Sequence, residues 1–333
     1  MASKMIKNVV CSVMRGSTEE SQHQIHCVII NKNHDILFQS GDIKQDYCLR
    51  STLKPFQSAA SINLGTHTKY NFSDKEISIT CASHHCEDQH INTIRSILKK
   101  INLSEQDLEC GFHFPFDKKN KTKLHSQQIN KSNIYNNCSG KHAGLLAMMQ
   151  HLNIPTKNYI NHTHPIHQYI NDYIINIAGE HPVEFAVDGC SLPTPYFSLY
   201  TLAKMYIQLI VAPPTSPLST VYNSMVQYPE LVSGTKGFDS YFMKLFDGRA
   251  VCKGGAEGMQ SLAIKTKNHG YISLALKVLD GNHRGNYISC VTILYYLNII
   301  NDEEYSSLLD FINVNQYNFN QIKTGQLVCN IVD

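Results

Sequence analysis

Tryptophan is absent from the 333 residues. Also missing is any unbroken apolar stretch of the roughly 18 residues that a membrane span needs. Met1 to Met14 carries only a short apolar patch at Val9 and Val10, with no segment of secretory-leader length. No basic run or stripe stands out and the formal net charge is +2, so nothing calls for a nucleic-acid partner. The short stretch Lys118, Lys119, Lys121 and Lys123 lies among Asn and Thr and reads as a solvated loop. No CxxC pair occurs among the 11 cysteines, which are scattered and odd in number. A chain of this size does not need disulfide staples, so the thiols read as small buried hydrophobes in a reducing compartment. The expectation is a cytoplasmic protein with no membrane association. Asn, Ile, Lys and His are frequent, and the 17 histidines read as compositional drift rather than as 17 ligands.

The 42% hydrophobic content supports a substantial core, and the length suits one large domain or two closely packed parts. We treat residues 1–333 as a single catalytic domain. Residues 25–38 read as a β-hairpin around Asn31-Lys32-Asn33. Residues 53–64 read as a helix, with Pro55 in the first turn and Gly65 placed to end it. Ile77–Ala82 is strand-like, and residues 105–135 read as a long polar loop or lid. Helices are expected from Ser139 to about Leu152, over 165–178, over 196–211 and over about 286–300, with strands at Phe185–Val187, Met259–Ile264, Tyr271–Val278 and Leu327–Val332. Strands at both ends with helices between predict an α+β fold whose sheet joins the N- and C-terminal strands.

Several segments could carry chemistry. Ser51 and Lys54 have S-x-x-K spacing at a helix start, which puts both side chains on one face. A desolvated lysine can deprotonate a serine hydroxyl, and free N–H groups at the helix start can hold an oxyanion. Taken alone, the motif is weak because S-x-x-K occurs often by chance, and the pair reads rather as a capped helix with one exposed lysine. Ser83-His84-His85-Cys86-Glu87 reads as a strand-to-helix junction or simply as a cap with an acidic first turn. Asn136 to Gly144 is the densest polar cluster, but no G-x-x-x-x-G-K-[ST] occurs, so nucleotide binding is rejected. Cys138 and Lys141 could face one site, with Cys190 on a later turn as a second thiolate. Lys277 points to the small-residue face of its strand. Lys323-Thr324-Gly325 is discounted as a penicillin-recognising motif, because only eight residues follow it and no S-D-N is present.

Taken together and in order, the segments resemble the motifs of the L-asparaginase II family (Rhizobium-type). They are Arg50 to Gln57; Cys81 to His84 with Glu87; Asn137 to Gly144; Asp188 to Cys190 with Pro193-Thr194; Lys253 with Gly255 to Gly258; and Lys277 with Asp280-Gly281 and Arg284. The resemblance implies a fold related to serine β-lactamases and glutaminases. It implies Ser51 as nucleophile with Lys54 as base and a second pair, Ser83 and Lys277. It also implies zinc bound by Cys138, Lys141 and Cys190, and L-asparagine as substrate. Arg50 and Asp188 would organise the site, and we add His142 and Glu257 as substrate-binding residues. The family is often dimeric, so a homodimer is expected. Two departures stand out: Cys86 and Ser191 occupy positions where the family usually has glycine. Cys86 could crowd the helix start or offer a further metal-reactive thiol. A glutaminase or β-lactamase-like activity on the same serine is the rival enzyme reading, and a zinc- or redox-responsive binding protein is the rival outside catalysis.

Overall fold

The computed structural model describes residues 5–115, 118–126, 131–312 and 314–333. Parts of the expected lid (116–117 and 127–130) and of the Met1–Met14 segment (1–4) lie outside these residues. The chain opens with β1 (Met5–Arg15), β2 (Thr18–Asn31), β3 (Ile36–Ser40) and β4 (Asp46–Cys48). A 3-10 turn, Arg50–Leu53, runs into α1 (Lys54–Asn63), followed by α2 (Thr66–Lys69), α3 (Asp74–Thr80) and α4 (Asp88–Lys100). Next come α5 (Lys118–Ser126), α6 (Ser139–Leu152), α7 (Pro165–Ala178), β5 (Phe185–Val187), β6 (Pro193–Ser198) and α8 (Leu199–Val211). The chain continues through α9 (Pro217–Gln227), α10 (Glu230–Ser233), α11 (Phe238–Leu245), β7 (Ala250–Gly255), β8 (Met259–Thr266) and β9 (Gly270–Val278). It ends with α12 (Asn286–Tyr296), α13 (Asp302–Ser307), α14 (Leu309–Ile312), β10 (Asn315–Tyr317) and β11 (Lys323–Val332).

These elements divide into two compact units. The strand unit comprises Met1–Thr52, Phe197–Val211 and Leu245–Asp333. Its eight-stranded sheet has the order β10-β11-β1-β3-β2-β9-β8-β7. β1 and β11 pair antiparallel from Asn8↔Val332 to Arg15↔Gly325, so the sheet does join the two ends of the chain. The expected hairpin is β2 and β3, with its turn at residues 32–35. Sequence reading overlooked β1, an interior strand of the sheet, although Val9, Cys11 and Val13 alternate along it as buried residues. β9 was expected to alternate between two unlike faces, yet residues 272–276 are all buried. The reason is that both α8 and α12 pack on it. Ser273 belongs to the face with Lys277, and its Oγ donates to the carbonyl of Ala203 in α8.

The helical unit comprises Leu53–Tyr196 and Ala212–Lys244. α1 lies at its centre, packed on α9, α7 and α6. The segment expected as a strand at Ile77–Ala82 is instead the helix α3. Ser73 caps it: its hydroxyl accepts from the Glu76 N–H, and the Glu76 carboxylate accepts in turn from the Ser73 N–H. That reciprocal cap, and packing on α9 and α6, outweigh the β-preference of its Ile and Thr residues. The lysine-rich stretch is also helical rather than a loop. α5 is anchored where Asn120 Nδ2 donates to the His85 carbonyl and Lys123 pairs with Asp88. α12 is shorter than expected, ending at Tyr296 before Asn298 turns left-handed at φ 53°. α6 approaches the end of α3 through Gly140 and Gly144. A Cβ on Gly140 would strike the Ile79 carbonyl oxygen, and one on Gly144 would lie 2.9 Å from Thr80 Cγ2. This close approach sets the start of α6 beside the segment that carries Ser83.

Candidate active site

Lys54 begins α1 with 0% of its surface exposed. Its Nζ donates to the Ala82 carbonyl, to Ser83 Oγ at 3.0 Å and to Cys138 Sγ at 3.2 Å. Three acceptors match the three N–H groups of an ammonium. Ser51 lies three residues earlier, in the 3-10 turn that runs directly into α1. Arg50, just before it, has a left-handed backbone at φ 52°. Such angles in a non-glycine residue store strain of order 1–3 kcal/mol and cluster at functional sites.

Backbone and histidine contacts fix the Ser83 segment. The Ser83 N–H donates to the Val232 carbonyl, and the His84 N–H to the Asn137 carbonyl. His84 Nδ1 accepts from the Cys86 N–H at 3.2 Å, which leaves its Nε2–H to donate to Ser139 Oγ at 2.8 Å. Its ring stacks on His90 at 5.3 Å. Burial first, then the neighbouring His90 and Lys54 charges, hold the His84 pKa well below the ordinary imidazole value, so it serves as a neutral strut.

Cys138, Lys141, Cys190 and Asp188 gather at the start of α6. Lys141 Nζ donates to Cys190 Sγ at 3.0 Å, and Asp188 Oδ2 lies 3.8 Å from that sulfur. Cys138 and Cys190 share a hydrogen bond. That bond, with Lys141 beside it, holds Cys190 well below the ordinary thiol range. The same bond, together with burial, pushes Cys138 up to about 12. Burial disfavours charge on Lys141, but the facing sulfurs, Cys190 first, outweigh it and raise its pKa. Among the described residues no group of three or more His, Cys, Asp and Glu is arranged for a metal, so a metal here needs Lys141 as a ligand. Two sulfurs and an amine, once deprotonated, fit the donor preference of zinc.

His142 is buried. Tyr159 accepts from the Glu109 N–H and donates to His142 Nδ1 at 2.9 Å. His142 Nε2 has no hydrogen-bond partner among the described residues. Burial, followed by the Lys141 charge, lowers its pKa to about 3.

In the strand unit, Lys277 Nζ donates to the Glu257 and Val278 carbonyls, and burial lowers its pKa. The structure thus gives Ser83 a hydrogen bond from Lys54 and gives Lys277 two carbonyl partners. Sequence reading passed over another lysine as a site residue. Lys253 is buried on β7 with Nζ bound to the Gly254 carbonyl. The end of that strand meets the segment that carries Ser51: a Cβ on Gly255 would lie 3.3 Å from Thr52 Cγ2 and 3.4 Å from the Leu49 carbonyl oxygen. A lysine followed by two glycines on a strand was the available signal.

Cys86 and Ser191 both have left-handed backbones, at φ 60° and 73°, which gives the physical reason why glycine suits these positions. Ser191 closes the tight turn at Asp188–Leu192 that presents Cys190. Cys86 is no reactive thiol. Its Sγ donates to the Tyr135 carbonyl at 2.9 Å, and burial pushes its pKa up to about 12. Ser191→Gly should stabilise the fold by about 1 kcal/mol through relief of strain. Cys86→Gly should give no gain, since it also deletes a buried, hydrogen-bonded side chain. Denaturant midpoints of the two variants check this, and equal gains would contradict it.

The L-asparaginase II family profile matches residues 11–329. The protein acts on amide C–N bonds as a hydrolase, and the chain belongs to the L-asparaginase II family. A comparison with curated proteins gives no match. Among solved structures, Mglu is 10% identical, with 83% of this chain and 67% of that one covered and a TM-score of 0.42. In its tris and glutamate form Mglu is covered over 59% of its length. The TLA-1 extended-spectrum β-lactamase is 13% identical, covered at 88% and 94%, with a TM-score of 0.38. A class A β-lactamase from Bacteroides cellulosilyticus DSM 14838 is 10% identical, covered at 87% and 94%, with a TM-score of 0.39. Likeness of this degree fixes no residue's role.

Proposed function

We propose that the protein hydrolyses the side-chain amide of L-asparagine to L-aspartate and ammonia through an acyl-enzyme on Ser51. The observation that carries this reading is the wholly buried Lys54, one helical turn of chain after Ser51, with its amine on Ser83 Oγ at 3.0 Å. Ser51 Oγ attacks the amide carbon and its proton passes to the neutral amine of Lys54. The tetrahedral intermediate collapses as the proton is returned to the departing nitrogen, and ammonia leaves. Water, deprotonated by the same amine, cleaves the ester and restores Ser51. Ser83 Oγ and Cys138 Sγ are the side-chain acceptors that lie beside that amine. Lys277 would complete the second serine–lysine pair with Ser83, with Arg50 and Asp188 ordering the site and His142 and Glu257 serving the substrate. Cys138, Lys141 and Cys190 would hold zinc, which supplies Lewis-acid polarisation of a bound oxygen. All 11 cysteines are free thiols, which supports a reducing, cytoplasmic setting.

The test is ammonia release from L-asparagine and L-glutamine, and ring opening of a β-lactam followed by ultraviolet absorbance, by wild type and Ser51→Ala in parallel. Asparagine turnover that vanishes in Ser51→Ala is expected. Turnover that survives would overturn the serine mechanism. A preference for glutamine or the β-lactam would select the rival amidase readings.

A further inference from the structure

The turn from β7 to β8 runs through Ala256, Glu257 and Gly258. Glu257 takes φ 60° and Gly258 takes φ 68°. Glycine and asparagine adopt such angles readily, whereas a longer side chain pays about 1 kcal/mol or more. Glu257 is exposed, so burial of its side chain does not compensate. Its surroundings nevertheless hold it in place. Lys277 Nζ donates to its carbonyl oxygen. Its carboxylate lies over Gly281, where any Cβ would strike Oε2, and Gly281 itself is left-handed at φ 76°. Among the described residues no donor meets that carboxylate. Two residues back along the chain, Gly255 abuts the Leu49–Thr52 segment that carries Ser51. All of these residues belong to the strand unit.

We propose that Glu257 binds the α-ammonium group of the amino-acid substrate and that the strained turn exists to present its carboxylate there. A carboxylate with no hydrogen-bond donor of its own among the described residues, and with Lys277 as its neighbouring charge, offers a charge-assisted acceptor to the three N–H donors of an ammonium. The assignment rests on the amidase reading and deepens it: this site selects L-amino-acid amides over amides that lack the α-amine.

The decisive comparison is L-asparagine against succinamate, which keeps the amide and the carboxylate but lacks the α-ammonium. kcat/KM is measured on both for wild type, Glu257→Gln and Glu257→Asn, alongside calorimetric binding of L-aspartate and succinate. A charged hydrogen bond of this kind corresponds to about tenfold to a hundredfold, so the asparagine-to-succinamate ratio should fall by that factor in both variants. Glu257→Asn should at the same time unfold at a higher temperature than wild type, because asparagine fits the left-handed angle. Equal losses on both substrates would overturn the assignment. So would a wild type that turns over asparagine through Ser51 yet binds L-aspartate no better than succinate. A wild type with no amide turnover refutes the amidase reading instead. In that case the calorimetric preference for L-aspartate, and its loss in Glu257→Gln, still decides the role of Glu257.

Discussion

Lys54→Met is expected to lower kcat for asparagine by about 10²–10⁴, the usual contribution of a positioned general base, while the protein stays folded. Methionine approaches lysine in length and fills the same closed space at the start of α1, so no large cavity opens. What disappears is the amine that donates to Ser83 Oγ, Cys138 Sγ and the Ala82 carbonyl. Exchanging a buried ammonium for an apolar chain also removes a desolvated charge, which partly offsets the three lost hydrogen bonds. The loss should therefore fall mainly on kcat rather than on the unfolding midpoint. Ser83→Ala makes the informative companion. It keeps the lysine and removes one acceptor, so its kcat should lie between those of wild type and Lys54→Met. A Lys54→Met enzyme retaining more than about a tenth of wild-type kcat would exclude the lysine as base, since even the low end of that contribution is larger.

The S-x-x-K spacing made Ser51 and Lys54 legible because their relation is local: one helical turn of chain separates them. The partners of Lys54 were not legible, since Ala82 and Cys138 follow it by 28 and 84 residues and only the packing of α1, α3 and α6 brings them in. The glycines of the Ser139–Gly144 stretch were visible in sequence. Their purpose, close approach to Ile79 and Thr80, needed the fold. α3 was misread because a window of Ile and Thr was weighed without the Ser73–Glu76 cap just upstream. Cys86 and Ser191 were marked as departures from glycine on the resemblance alone, and the left-handed backbone angles at both supply a physical reason for glycine there. The sheet that joins both chain ends was foreseen from strand placement. The buried faces of β9 were not, because alternation along a strand cannot show that helices cover both sides.

The helical unit should lose most of its stability between pH 7 and pH 5. His84, His90, His142 and His167 are all buried in it. Burial is the leading cause of a lowered pKa in each: well below the ordinary value for His84, lowered for His90, to about 3 for His142 and to about 4 for His167. The sign follows from linkage. These imidazoles stay neutral in the folded unit but take up protons near pH 6.5 once unfolded. The stability is thus fully present above about 6.5, the unfolded value, and is lost as pH falls towards the folded values. From pH 7 to pH 5 each histidine held neutral costs about 2 kcal/mol, so the three most strongly shifted cost about 6 together. That is comparable with the roughly 5–15 kcal/mol total of a domain. Carboxylates do not produce this window. Glu76 has its pKa lowered by Lys100, Ser73 and Ser96 against the opposing effect of burial, so its contribution is lost only below the ordinary carboxylate range. Chemical denaturation at pH 7, 6 and 5, read by amide exchange resolved along the chain, should show α1, α6 and α7 opening as the pH falls. His167→Gln, which can still donate to the Tyr159 carbonyl that His167 Nε2 holds at 2.6 Å, should flatten the slope by about one proton. A stability that is flat from pH 7 to pH 5, or a slope unchanged in His167→Gln, would mean that these rings take up protons within the fold.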